Sequence, residues 1–201
     1  MRSRSVSRVV LTDTVDIPAP PARLAADWER ELSSRPGFEP GDVDSLPLPR
    51  ARMRWPDYRR CVQAAADWVR GAGLGDVLAH SDIALMACRG ARYHHDAEQY
   101  GSAAFCNLFL SDDQGLDLHF PQSGHRIALV CGTVVVFDTA QPHAVVPRGR
   151  SDFDAADFAA GRERTLVFLT WELPIEDPAL SQVLGIAFQP GASCSPADPA
   201  R

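Results

Sequence analysis

The spacing of apolar residues changes part-way along the chain. In the first eighty residues it is helical. "APPARLAADWEREL" places Leu24, Trp28 and Leu32 four apart, which makes one face of an amphipathic helix behind a Pro-rich start. "SSRPGFEPGD" ends it with Pro and Gly, and a Pro- and Arg-rich loop, "DSLPLPRARMRWP", follows. "DYRRCVQAAADWVRGAG" then sets Tyr58, Cys61, Val62, Ala65, Trp68 and Val69 on one helical face. Pro56 stands where helices begin, and Gly71 and Gly73 where they end.

From Asp82 the pattern shortens. "DIALMAC", "SAAFCNLFL", "LDLHF", "HRIALVC", "TVVVFDT", "HAVVP" and "RTLVFLTWEL" are brief apolar runs, and Gly, Pro, Asp, Asn or Ser punctuate most of the gaps. This spacing predicts an antiparallel sandwich or barrel. "SDFDAADFAAGRE" interrupts the strands with a polar, Ala-rich loop that has room for a short helical turn. The expectation is one domain over residues 1–201. A helical N-terminal extension (1–80) packs on one face of a mainly β core (81–175), and a Pro-, Ser- and Ala-rich tail (188–201) frays.

Composition narrows the function classes. The 201 residues, 45% of them apolar and 23% charged, suit a globular domain with a real core. A net charge of −6 argues against nucleic acid as the main partner, because phosphate binding needs a basic face. No run approaches the roughly 20 apolar residues of a membrane helix. "MRSRSVSRVVLTDTVD" lacks the apolar stretch of a signal peptide, so the default compartment is the cytoplasm. The five cysteines are scattered with no C-x-x-C, which predicts reduced, mostly buried thiols. Oligomeric state leaves no trace in the sequence.

Two of the six histidines fall in "RYHHDAEQY" beside an aspartate. If that stretch is a strand, His94 and Asp96 share a face and His95 points away. A third ligand to an ion would come from His80, His119, His125 or His143. His143 stands out by context, since it follows "GTVVVFDTAQP" and opens an apolar run at what would be a barrel rim. Two imidazoles and one carboxylate form the facial triad of non-haem Fe(II) sites.

With "YHHD", "LFLSDDQGLDLHFP", "GTVVVFDTAQPHAVVPRG" and "GRERTLVFLTW" in this order, the chain resembles the 2-oxoglutarate- and Fe(II)-dependent dioxygenases over residues 85–172. The resemblance implies a double-stranded β-helix, a jelly-roll, cupin-like core; the N-terminal helices, which it does not cover, are read from their apolar faces as packing on one sheet. It implies Fe(II) held by His94, Asp96 and His143. It also implies a keto acid whose far carboxylate pairs with an Arg on the strand after the distal His. Arg164 is the first choice for that role, with Thr165 adding a hydroxyl and Arg162 as the alternative. About twenty residues separate His143 from Arg164, where the family commonly has about ten, and "RSDFDAADFAAG" accounts for the excess. Asn107 and Tyr100 are candidates for hydrogen bonds to the cosubstrate. The implied activity is oxidation, in the usual case hydroxylation, of a C–H bond in a small-molecule substrate, with release of succinate and CO2. Two rival readings remain: a cupin-type metal enzyme that uses no keto acid, and a non-catalytic barrel that binds a small molecule or a protein.

Overall fold

The computed structural model describes residues 4–158 and 164–188. In chain order the elements are β1 (Val10–Thr14), α1 (Ala22–Ser33), β2 (Val43–Leu46), α2 (Leu48–Arg52), α3 (Tyr58–Gly71), β3 (Ile83–Cys88), β4 (Ala91–His94), α4 (Ala97–Tyr100), β5 (Ala103–Phe109), β6 (Leu116–Phe120), β7 (His125–Ala128), β8 (Thr133–Asp138), β9 (His143–Pro147), β10 (Leu166–Pro174) and α5 (Pro178–Leu184). Single 3-10 turns cover Val77–His80 and Ala155–Phe158, the second within the Ala-rich loop.

The strands form two antiparallel sheets. One is ordered β1-β8-β5-β10-β3-β2 and the other β4-β9-β6-β7. From β3 to β10 the chain winds between them, and only the β6–β7 hairpin stays within one sheet. Eight strands wound this way, with β8-β5-β10-β3 facing β4-β9-β6-β7, are a double-stranded β-helix. β1 and β2 add one strand to each edge of the larger sheet.

These two edge strands lie in the stretch whose spacing predicts helices. Their sequences, "VLTDT" and "VDSL", mix polar and apolar residues without alternation. Each has a single neighbour, so no buried face imposes a period of two. α2 and α5 likewise escape the sequence reading, as short helices in Pro-rich surroundings. The tail beyond Phe188 lies outside the described residues, as does Arg162.

Two apolar layers hold the fold together. Leu24, Trp28 and Leu32 of α1 join Cys61, Ala65 and Val69 of α3 against Leu108, Leu169 and Trp171 on the outer face of the larger sheet. Between the sheets lie Phe109, Leu118, Phe120, Phe137, Val145, Leu166 and Phe168. β10 therefore serves both layers. Val167, Leu169 and Trp171 face the helices, while Leu166 and Phe168 face the inter-sheet core. A strand covered on both faces reads as a continuous apolar run, which is why "LVFLTW" shows no alternation.

Gly132, just before β8, has φ +90°, and a Cβ there would lie 2.2 Å from the Val15 carbonyl oxygen. Val15 N–H donates to Gly132 O at 2.9 Å, so β1 docks where only glycine fits. Among the described residues no helix is long and apolar enough to cross a membrane. Cys61, Cys88, Cys106 and Cys131 are free thiols.

Candidate metal centre

His94 closes β4 and His143 opens β9, and the two occupy one rung of the β4–β9 ladder. The next rung pairs Ala91 with Val145, so three steps on β4 match two on β9. One extra residue on β4 is a bulge. Its consequence is chemical. Ala91 and Val145 both face the inter-sheet core. Strict alternation from Ala91 would turn Tyr93 inward and His94 outward. The bulge leaves Arg92 and Tyr93 exposed and brings His94 to the inner face.

Asp96 is not on a strand. β4 ends at His94, and Asp96 (φ −100°, ψ 12°) is the N-cap of the single turn α4. The i, i+2 alternation therefore does not apply to it, although it does meet His94. Its backbone N–H donates to Thr139 O at 2.8 Å, which ties the β4–α4 corner to the loop before His143. The carboxylate lies between the imidazoles. Oδ1 is 3.6 Å from His94 Nε2, and Oδ2 is 3.6 Å from His143 Nε2. One donor atom from each of the three residues lies within 4.8 Å of the other two.

The backbone sets the tautomer of both rings. His94 Nδ1 donates to Arg92 O at 2.6 Å, and His143 Nδ1 donates to Gln141 O at 2.9 Å. A carbonyl oxygen only accepts, so each Nδ1 carries the proton and each Nε2 keeps a lone pair toward Asp96. Burial, reinforced by the His94 ring beside it, pushes the pKa of His143 down to about 3. His143 is therefore neutral at physiological pH, as a ligand must be. Burial raises the pKa of Asp96, while His94 and His95 pull against the rise. A cation between the three groups would relieve that desolvation. The donor set of two imidazoles and a carboxylate suits a divalent first-row metal, and Fe(II) in particular.

The other histidines lie elsewhere. His119 Nδ1 is 2.5 Å from Tyr93 Oη, and His125 Nδ1 is 2.9 Å from Ser123 Oγ. His80 is exposed at the end of a 3-10 turn, and His95 is exposed.

A cavity of about 480 Å³ runs from the triad down between the sheets. Phe109, Leu118, Phe137 and Phe168 form its apolar walls, and Asn107 and Thr170 supply polar groups within it. These two are partners across the β5–β10 ladder, and Thr170 Oγ1 donates to Asn107 Oδ1 at 2.6 Å. Tyr100 also lines the cavity, with its ring edge-on to Phe105 at 5.0 Å. Asp82 and Glu172 stand at the mouth.

Arg164 and Thr165 do not line this cavity. Thr165 Oγ1 accepts from Arg89 Nε at 3.3 Å, and Arg89 also reaches Glu29 and Ser33 of α1, so Thr165 faces the helical layer. Arg164 is half-buried two residues before Leu166, in the register of the inward-facing side chains of β10. Among the described residues, no Arg touches the cavity.

Thr170 was not a sequence candidate, yet a signal for it exists. It is the one polar residue within "LVFLTW", as Asn107 is within "FCNLFL", and both runs belong to strands covered on both faces. A polar residue in such a run must find a partner or a cavity. The carbonyls of Arg92 and Gln141 have no sequence signal, because every residue carries one.

No protein-family model matches the sequence, and no curated protein is similar to it. Among solved structures it is similar to a viral collagen prolyl hydroxylase from Paramecium Bursaria Chlorella virus-1, at 9% identity and a TM-score of 0.46 over 82% of this chain and 90% of that one. It is similar to EvdO2 from Micromonospora carbonacea var. aurantiaca, at 14% identity and a TM-score of 0.48 over 84% and 87%. It is also similar to a prolyl hydroxylase from Trichoplax adhaerens in complex with a hypoxia inducible factor peptide fragment, at 11% identity and a TM-score of 0.48 over 86% of both chains. The strand order within this chain, independent of these similarities, makes its fold a double-stranded β-helix.

Proposed function

We propose that the protein is a non-haem Fe(II)- and 2-oxoglutarate-dependent oxygenase that oxidises a C–H bond of a small-molecule substrate. One observation carries the proposal. Three donors from separate elements converge at the head of an inter-sheet cavity, with both imidazoles held in the ligating tautomer. Bound there, Fe(II) would supply dioxygen activation coupled to keto-acid decarboxylation, so that substrate C–H, O2 and 2-oxoglutarate give C–OH, succinate and CO2.

The chain supplies position and shelter. His94, Asp96 and His143 hold the ion by one face and leave the other open. The aromatic walls make the space beside it largely apolar. Asn107, Thr170 and Tyr100 offer hydrogen bonds to the cosubstrate within the cavity. Arg164, at the head of β10, is the proposed partner of its far carboxylate, since a guanidinium matches a carboxylate bidentately.

A second reading, a metal enzyme of the same fold that uses no keto acid, is favoured by the absence of Arg from the described cavity lining. Succinate release in the presence of Fe(II) and ascorbate separates the two. His143→Ala should lose both bound iron and succinate formation. Arg164→Glu should retain iron and raise the Kd for 2-oxoglutarate at least tenfold. Iron uptake without any succinate would favour the second reading, and a parent protein that takes up no iron would leave a non-catalytic barrel.

A further inference from the structure

The two segments that carry the triad are far apart in sequence but run side by side, since β4 pairs with β9 and β5 with β8. The β4–β5 connection bears Asp96, and the β8–β9 connection leads to His143. A single side chain from the N-terminal segment binds both connections. Arg4 meets the Asp138 carboxylate bidentately, with Nη1 donating to Oδ2 at 2.6 Å and Nη2 to Oδ1 at 2.8 Å. Its Nε and Nη2 also donate to Gly101 O, both at 3.1 Å. The Arg4 side chain is 10% exposed, and that of Asp138 is fully buried.

Each contact leads toward a ligand. Asp138 ends β8, and its carbonyl accepts from Gln141 N–H at 2.9 Å. The Gln141 carbonyl in turn holds His143 Nδ1. Gly101 follows α4, whose N-cap is Asp96. Thr139, next to Asp138, accepts from Asp96 N–H and lies within hydrogen-bond reach of Tyr100 O and Ala103 O through its hydroxyl. Asp138 also accepts from Ser7 N–H at 2.8 Å and Ala140 N–H at 2.9 Å. The N-terminal segment is itself anchored. Ser5 exchanges two hydrogen bonds with Ala187, both 2.9 Å, and Ser7 Oγ donates to Leu184 O.

We infer that Arg4 is a positioning residue of the metal centre: it clamps the two ligand-bearing connections together from behind and sets the separation of Asp96 from His143. The inference rests on the metal reading of the triad. Arg4 touches none of the three ligands, so its effect passes through Asp138, Gly101 and the backbone. Groups hydrogen-bonded directly to metal ligands, here the Gln141 carbonyl, contribute about 10–100-fold to metal affinity, and Arg4 acts one step further out by holding the turn that carries that carbonyl. The fork is what the site uses, because it spans a carboxylate and a carbonyl at once, which a lysine ammonium cannot reproduce in one plane.

Co(II) serves as the probe. Its affinity and visible absorption spectrum would be measured at low temperature, with thermal unfolding followed in parallel on the metal-free protein. Arg4→Gln should weaken Co(II) binding at least tenfold and alter the ligand-field bands. Leu32→Ala, in the helical layer far from the triad, should lower Tm while leaving affinity and spectrum unchanged. Arg4→Lys keeps the charge without the fork, so it should fall between parent and Arg4→Gln, and it stands in if Arg4→Gln does not fold. Co(II) affinity within about twofold of the parent in the folded Arg4 variants, or an equal loss in Leu32→Ala, would overturn the inference. A parent protein that takes up no Co(II) would overturn the metal centre itself and the clamp with it.

Discussion

Two carbonyl oxygens set the tautomers of His94 and His143. Without Arg92 O and Gln141 O, each ring could protonate either nitrogen, and half of the tautomers would point N–H at the ion. The choice of His94, Asp96 and His143 was legible from residue type and order. The choice of tautomer was not, because it depends on where two main-chain oxygens come to rest. The burial that makes His143 neutral has a consequence for stability. Its pKa in the folded protein is about 3, below the ordinary value, so the unfolded chain binds more protons between the two. The metal-free protein should therefore lose stability as pH falls from about 6.5 toward 3, since His143 must charge on unfolding. Asp96, raised by burial, pulls the other way. Urea denaturation against pH should show a shallower acid slope in His143→Gln than in the parent, and an unchanged slope would place the effect on other groups. Thr170→Val keeps the shape but removes the donor to Asn107 Oδ1, on a residue only 7% exposed. A loss of about 1–3 kcal/mol in urea unfolding is expected, and parent-like stability would mean that Asn107 finds another donor.

The bulge in β4 is the decisive element. A strand of four residues with one insertion turns His94 to the triad where plain alternation would put a surface residue. The sequence argument reached His94 through alternation with Asp96, yet Asp96 caps a helical turn and the alternation is broken. The same three residues converge, by a different route. β5 and β10 were legible because both of their faces are buried, which compels long apolar runs. β1 and β2 were not, because edge strands carry no such demand. The β1–β8 docking hinges on Gly132. Gly132→Ala should cost about 1–3 kcal/mol, as the positive φ strains an alanine and its Cβ meets the Val15 carbonyl. An unchanged Tm would show that β1 shifts freely, without loss of its pairing with β8.

The molecule is a sandwich of three layers: helices, larger sheet and smaller sheet. Its buried thiols report on each interface. Cys61 and Cys106 lie between the helices and the larger sheet, and Cys88 lies between the sheets. Burial pushes Cys61 up to about 11 and Cys88 up to about 12, and it raises Cys106 as well. Since the thiolate is the nucleophile, iodoacetamide at pH 8 should modify the half-buried Cys131 well before these three. Peptide mass spectrometry over time gives the order. Modification of Cys61 and Cys106 ahead of Cys88 would reveal that the helical layer undocks while the β core stays closed. Modification of Cys88 before Cys131 would contradict the inter-sheet packing.

Local chemistry wrote the helices α1 and α3, the doubly covered strands and the residue types of the triad into the chain, because each depends on side chains close in sequence or on a face that must be buried. Tertiary structure alone brought His94 opposite His143 on one rung, turned Thr165 away from the cavity and left the described lining without an arginine. It also set Arg4 across two connections about a hundred residues or more from it in sequence. These are matters of register and long-range contact, and a one-residue change in pairing would reverse which side chains face inward.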